Sequence, residues 1–244
     1  MIKNIIIGLK AYVDSFSLIS ELKLWKYFAI PILISVLTAL IIGFLAYGFS
    51  DNITDYISSL IPSWNPPNWV RSIEIFLISL IIVVLGLILY KHIVMALSAP
   101  FMSPVSEKIE QHFLGKEHLS QRETAFSQQL WRGIRINLRN LVKEILLTIP
   151  ILLIGFIPVI GIFSTFLLFL IQSFYAGFGN MDYTLERHFN YKDSINFVNK
   201  HKGLAVGNGI VFMLLLLIPV IGIILVLPLS VVSATKVTIN ELHS

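Results

Sequence analysis

The sequence predicts an all-α integral membrane protein, and three observations carry that prediction. The 244-residue chain is 56% hydrophobic and 13% charged, about half the charged share of a soluble domain. Long uncharged stretches occupy 27–49, 75–90, 145–181 and 203–235. The hexapeptide Ile-Pro-Val-Ile-Gly-Ile occurs twice, at Ile157–Ile162 and Ile218–Ile223, each time midway through an uncharged stretch. The expected architecture is one membrane domain over 1–244. It comprises two long transmembrane helices, two hemi-penetrating helical hairpins, an amphipathic N-terminal helix and a cytoplasmic helical segment.

Residues 1–26 read as a helix lying in the membrane plane. Ile2, Ile5, Ile6, Leu9, Val13 and Phe16 follow helical spacing, with Lys3 and Lys10 off that stripe. The same pattern fits a helix packed on the rest of the protein, and the sequence does not separate the two. The first full span, 27–49, carries no charge. It begins too late and runs too long for a cleavable signal, so it reads as an uncleaved anchor.

The second span begins after Glu74 and is uncharged until Lys91-His92. A lysine at that depth snorkels its ammonium to the interface, which extends the span to about Leu97. Ser98-Ala-Pro-Phe-Met-Ser-Pro104 then reads as a break. Residues 104–144 form the cytoplasmic helical segment. Ser103 and Pro104 start one helix, Gly115 ends it, and Thr124 caps the next. On that second helix Phe126, Leu130, Ile134 and Leu138 form an apolar column, and Arg132, Arg135, Arg139 and Lys143 form a basic stripe.

The hairpins follow from the repeated hexapeptide. Pro158 with Gly161, and Pro219 with Gly222, break each apolar stretch, because proline lacks the N–H and glycine favours a turn. The arms are then Ile145–Ile157, Ile162–Met181, Leu204–Ile218 and Ile223–Thr235. Three of them have only 13 to 15 residues. At ~1.5 Å per residue that is about 20 Å, against a hydrocarbon core of roughly 30 Å. Hairpins of that length, 145–181 and 203–235, enter a membrane and return, as in transport proteins.

Lysine and arginine set the expected orientation. Residues 1–26 hold four lysines, 91–143 hold eight Lys/Arg and 182–202 hold four, whereas 50–74 holds one Arg and three acids. The positive-inside rule places both termini in the cytoplasm and the 50–74 loop outside, where Trp64 and Trp69 fit an aromatic belt.

The chemistry of catalysis is poorly represented. There is no cysteine, so disulfides, thiolate metal sites and cysteine nucleophiles are excluded. The six histidines lack metal-ligand spacing and the serines lie in no nucleophile-elbow pattern. No enzyme activity, cofactor, metal or nucleic-acid partner is expected. Anion handling has better support. Ser20-Glu-Leu-Lys-Leu-Trp-Lys-Tyr-Phe opens the first span, and N–H groups at a helix start suit an oxyanion. Lys23 and Lys26 add charge there and Trp25 walls off water. Lysines and a tryptophan also serve as plain interfacial anchors. The basic stripe gathers anions or contacts anionic lipid headgroups. Asn208, Gln172 and Ser173 either line a path or bond across helices. Asp182 is expected to pair with Arg187 or with another cation.

Several segments together resemble the CysZ family of bacterial sulfate permeases, grouped with the etoposide-induced membrane proteins. They are Ala99-Pro-Phe-Met-Ser-Pro-Val-Ser-Glu-Lys-Ile-Glu110, Asp182-Tyr183 with His188 five residues on, and Pro228-Leu-Ser-Val-Val-Ser-Ala-Thr235. The resemblance implies two long transmembrane helices with two hemi-penetrating helix pairs, homo-oligomers in a bacterial inner membrane, and sulfate uptake for cysteine synthesis. Sulfate is the expected partner, with another small anion or a non-conducting scaffold as alternatives. The family's Gly-Leu-Arg at the start of the first long helix, implicated in sulfate binding, corresponds here to Lys23, Leu24 and Trp25, followed by Lys26. An indole and a point-charge ammonium replace the bidentate guanidinium.

Overall fold

The computed structural model describes residues 1–59, 67–115, 124–155, 160–218 and 221–243. Those residues form an all-helical protein, in the order α1 (Ile2–Lys10), α2 (Ser15–Glu21), α3 (Trp25–Ser59), α4 (Asn68–Leu114), α5 (Phe126–Gly155), α6 (Ile160–His188), α7 (Tyr191–Lys200), α8 (Lys202–Leu216) and α9 (Ile221–Leu242). Trp64, Pro158 and Pro219 lie outside the described residues.

Residues 1–26 make two helices where the apolar stripe predicts one. The α1 helix ends at Lys10, and Asp14 takes the left-handed conformation (φ 67°) just before α2, which redirects the chain. The α1 helix packs on α8 through glycine. A Cβ on Gly8 would lie 2.8 Å from the Leu204 carbonyl oxygen, and one on Gly203 would lie 2.8 Å from the Met1 carbonyl oxygen. Ile2, Ile6, Val13 and Phe16 remain exposed. The N-terminus therefore packs on the protein with one face and presents an apolar face outward.

The α3 helix runs ten residues beyond the predicted span, and α4 starts before it, so much of the 50–74 segment is helical. The predicted break at 98–104 is absent. The α4 helix continues through Pro100 and Pro104 to Leu114, and Gly115 (φ 81°) ends it as expected. Proline frees the carbonyl four residues earlier. At Pro100 that carbonyl is Ala96, and it faces Gly133 of α5, where a Cβ would stand 2.9 Å from it. Glycine's Cα–H thus covers the freed oxygen. Burial of Ala99, Met102 and Val105 holds the rest of the segment.

Both hairpins form, with longer arms than the apolar stretches indicate. The α5 helix has 30 residues and α6 has 29, because each continues from its apolar part into a charged part that packs inside the protein. The α9 helix likewise reaches Leu242. Only α8, at 15 residues, keeps the predicted length. Gly161 and Gly222 sit in the first turn of their second arms rather than in the turns. A Cβ on Gly161 would lie 2.6 Å from the Gly155 carbonyl, and one on Gly222 would overlap the Leu215 carbonyl. The repeated glycine lets each hairpin close.

The tightest helix crossing joins the two hairpins. A Cβ on Gly177 of α6 would collide with the Ala205 carbonyl, and one on Gly209 of α8 with that of Ser173. Small residues permit this backbone approach, as is usual for membrane helices. Among the described residues, four helical segments are long and apolar enough to cross a membrane: Trp25–Leu45, Leu85–Leu114, Gly161–His188 and Ile224–Leu242. Exposed apolar side chains cover α3 (Leu33, Leu37, Leu40, Phe44) and the first hairpin tip (Leu153, Ile162, Phe163, Phe166). A surface of that kind requires a nonaqueous surrounding. The protein is a multi-pass membrane protein.

Candidate anion site and buried charge clusters

The junction between α2 and α3 is built by a left-handed residue. Lys23 has φ 52°, the conformation that glycine adopts without penalty and other residues adopt at a cost. Leu24 is wholly buried and anchors the turn in the core beside Phe28. The Leu24 N–H donates to the Ile19 carbonyl (2.9 Å) and the Tyr27 N–H to that of Leu24 (2.9 Å). The N–H groups of Trp25 and Lys26 thus open α3 and point out of its end. Trp25 is partly exposed, and its indole N–H donates to Ser20 Oγ at 3.1 Å. Lys23 and Lys26 are exposed.

A third cation joins this site from a distant part of the chain. Lys26 Nζ lies 5.3 Å from the Tyr27 ring centre, and Lys108 Nζ, near the end of α4, lies 5.8 Å from it. Among the described residues, Lys23, Lys26 and Lys108 form no ion pair. Sequence spacing could not associate Lys108 with Lys26, because 82 residues separate them.

The basic stripe of α5 divides by role. Arg132 turns into the protein. Its Nε and Nη2 donate to Asp182 (3.1 and 2.9 Å), Nη1 to the Phe189 carbonyl (2.7 Å) and Nη2 also to Ser194 (2.6 Å). Burial alone disfavours its charge, but the Asp182 carboxylate more than compensates and holds the guanidinium's pKa above its usual value. Arg135 lies over the Tyr191 ring at 4.0 Å. Arg139 donates to Asn140 and faces Phe178. Lys143 is exposed. Trp131, Leu138, Val142 and Leu146 line a surface groove of about 530 Å³ beside Arg135, Arg139 and Lys143.

Two buried charge clusters are not legible as sites in the sequence. In the first, Lys91 does not snorkel. Its Nζ lies 2.6 Å from Glu144 Oε1, with both side chains fully buried, and also donates to the Gln172 carbonyl (3.2 Å). His92 Nε2 stands 2.9 Å from the other Glu144 oxygen. In the second, Arg187 pairs with Glu110 (2.8 Å) rather than with Asp182, and His188 Nε2 lies 2.7 Å from Glu110 Oε1. Arg187 also donates to Ser106 Oγ (2.7 Å) and the Ser103 carbonyl (3.1 Å). The signal for the first was a charge at the end of a long apolar stretch, which must find a partner or an aqueous path; the second joins two charged segments and left no such signal.

The asparagines inside the hairpins bond across helices. Asn180 donates to Asn208 (3.0 Å), which donates to the Ser230 carbonyl (3.1 Å) and Ser233 (3.2 Å). The Tyr12 hydroxyl donates to Ser230 (2.7 Å), tying the N-terminus to α9, and its burial pushes that phenol's pKa up. Ser173 bonds back to Phe169 within its own helix.

The three motif segments meet in space. Ser106 and Glu110 from the first touch Thr184, Arg187 and His188 around the second. Thr184 hydrogen-bonds Thr235 from the third at 3.1 Å. The Tyr183 hydroxyl donates to the Met95 carbonyl (2.7 Å). The profile of the family described as sulfate transporter CysZ/etoposide-induced protein 2.4 matches residues 11–227. Proteins named "Sulfate transporter CysZ" from Pseudomonas aeruginosa and Pseudomonas paraeruginosa are each 24% identical over 234 residues, covering 93% of this chain and 92% of the relative.

Proposed function

Because the chain belongs to the sulfate transporter CysZ/etoposide-induced protein 2.4 family, we propose that it carries sulfate across a bacterial inner membrane into the cytoplasm, toward cysteine synthesis. The α2–α3 junction, with Lys23, Leu24, Trp25 and Lys26, is the anion site on the cytoplasmic side, and Lys108 belongs to it. One observation supports this assignment above the rest. Lys23, at the position that corresponds to the family's glycine, takes the left-handed conformation, a backbone form that lets the start of α3 present N–H groups to an oxyanion. Lys26 and Lys108 supply the charge that the family's arginine would carry. A dianion leaving water needs such compensation along its path.

The packing supports the expected orientation. Lys236 Nζ donates to the Val13 carbonyl (3.1 Å), Lys108 reaches Tyr27, and Arg187 reaches Glu110. The chain's N-terminal segment and the C-terminal ends of α4, α6 and α9 thus gather at one basic end, which the positive-inside rule assigns to the cytoplasm. The second hairpin is the better case for partial penetration. At ~1.5 Å per residue, α8 spans only about 22 Å, so the chain turns before a full crossing. Arg139 and Lys143, beside their apolar groove, contact anionic lipid headgroups, and Arg132 is reserved for holding α5 to α6. Homo-oligomers would cover the exposed apolar face of α3.

The test is uptake of radiolabelled sulfate into proteoliposomes holding the purified protein, with chloride and phosphate as competitors. Uptake above empty liposomes that unlabelled sulfate suppresses supports the proposal. Uptake that chloride or phosphate suppresses more strongly assigns another anion. No uptake by folded, inserted protein supports a non-conducting scaffold.

A further inference from the structure

A cavity lies at the charged end of the α5–α6 hairpin, apart from the α2–α3 junction and adjoining the lipid-facing groove, with which it shares Trp131 and Arg135. It has a volume of about 280 Å³, and Gln128, Trp131, Arg135, Glu186, Asn190 and Tyr191 line it. That is just below the size of pockets that take drug-sized ligands, roughly 300–1,000 Å³, and so suits a small metabolite.

Two of its groups have unused hydrogen-bonding capacity of opposite kinds. Glu186 is 2% exposed. Its Oε1 has no hydrogen-bond partner among the described residues. Neighbouring cations are already engaged. Arg132 serves Asp182, Phe189 and Ser194, and Arg187 serves Glu110. Arg135 lies over the Tyr191 ring, 4.0 Å from its centre, and donates to none of the described residues. A buried carboxylate oxygen without a donor is costly, and a guanidinium fixed on an aromatic ring is preorganised to take a carboxylate in bidentate form.

We propose that this cavity binds the zwitterion of a small α-amino acid, its ammonium on Glu186 and its carboxylate on Arg135. Trp131 and Tyr191 flank the ligand, and Gln128 supplies an amide. A dianion such as sulfate would meet the Glu186 carboxylate, which lines the cavity with Arg132 and Arg135. The site would couple to transport directly, since Glu186 precedes Arg187, which holds α6 to α4 through Glu110. The amino acid would then act as a cytoplasmic effector of a sulfate carrier.

The experiment is calorimetric titration of the full-length protein in detergent with glycine, L-serine and L-cysteine. Acetate and methylamine, each carrying one half of the zwitterion, serve as comparisons. The expected result is saturable binding of at least one amino acid, at least tenfold tighter than either half. Glu186→Gln and Arg135→Gln are each expected to weaken it at least tenfold while sulfate uptake without amino acid persists. Absence of saturable binding by folded wild-type protein overturns the proposal. Binding retained by both variants overturns it too, as does acetate or methylamine binding as tightly as the whole amino acid. The comparison with the half-ligands is made on wild-type protein and decides the matter even if a variant fails to fold.

Discussion

Lys91 Nζ and Glu144 Oε1 stand 2.6 Å apart with neither side chain exposed, joining α4 to the first hairpin. Glu144 holds His92 with its other oxygen. Such a pair contributes little net stability over an apolar one, but leaving one partner alone is expensive. Glu144→Leu should therefore cost about 3–5 kcal/mol, because it strands the Lys91 ammonium. The double variant Lys91→Met/Glu144→Leu should recover much of that loss. Thermal unfolding in detergent reads both. A double variant as unstable as the single one would show that the charges are not mutually compensating.

The crossing of α6 on α8 makes a sharper prediction. Gly177 and Gly209 each face a carbonyl of the other helix with no room for a Cβ. Gly177→Ala or Gly209→Ala must push the helices apart and break close packing, at a cost of typically 1–3 kcal/mol or more. Gly43, with nothing within 4 Å of its Cβ position, is the control, and Gly43→Ala should leave the midpoint unchanged or slightly higher. Equal behaviour of the three variants in a melting experiment would mean that the crossing is looser than described.

These two features show which parts of the fold the sequence discloses. The hairpins were legible because proline and glycine interrupt uncharged stretches twice in the same words. The arm lengths were not, because α5 and α6 carry charges that Asp182, Arg132 and Glu144 pair internally, and a charge reads in sequence as an end of burial. The break expected at Pro100 failed because Gly133 covers the freed Ala96 oxygen, a relation visible only across helices. Lys23 through Lys26 were legible as a helix start, while Lys108 and the Glu110–Arg187 pair join residues too distant for any local pattern.

The basic stripe of α5 should separate on mutation. Arg132 spends four donors inside the protein, so Arg132→Ala should cost roughly 2–3 kcal/mol, in the range of hydrogen bonds to charged groups. Arg132→Lys should restore only a part, because an ammonium cannot match the bidentate fork. Lys143→Ala should stay within about 0.5 kcal/mol of wild type, yet should reduce retention of anionic lipid through purification, read by mass spectrometry of bound lipid. Loss of lipid from the Arg132 variant alone would reverse the division of roles.

Lys23 offers a test of the turn without altering the rest of the site. A lysine in the left-handed region carries roughly 1–2 kcal/mol of strain. Lys23→Gly removes the strain but gains unfolded-state entropy, so its stability should lie within about 1 kcal/mol of wild type. Lys23→Val, branched at Cβ, should be clearly less stable. Chemical unfolding of the two variants checks this, and a valine variant as stable as the glycine one would contradict the backbone assignment at 23.

The charge at the α2–α3 junction governs the remaining prediction. Lys26 and Lys108 approach one tyrosine ring from two helices, and neither is paired among the described residues. Each ammonium near a surface-bound dianion is worth on the order of 1 kcal/mol, or about fivefold in affinity. Lys26→Ala should therefore raise the sulfate concentration for half-maximal uptake severalfold, and Lys108→Ala should do the same. Together they should act more strongly than either alone. Lys10→Ala, on α1 and outside this cluster, should leave the curve unchanged. Lys26→Arg should retain affinity because the charge is kept. The effect should also shrink as potassium chloride is added, since salt screens exposed charges. Concentration-dependent uptake into proteoliposomes measures each case. If Lys10→Ala and Lys26→Ala shift the curve equally, the lysines act only through the general surface potential, and the site must lie elsewhere on the path.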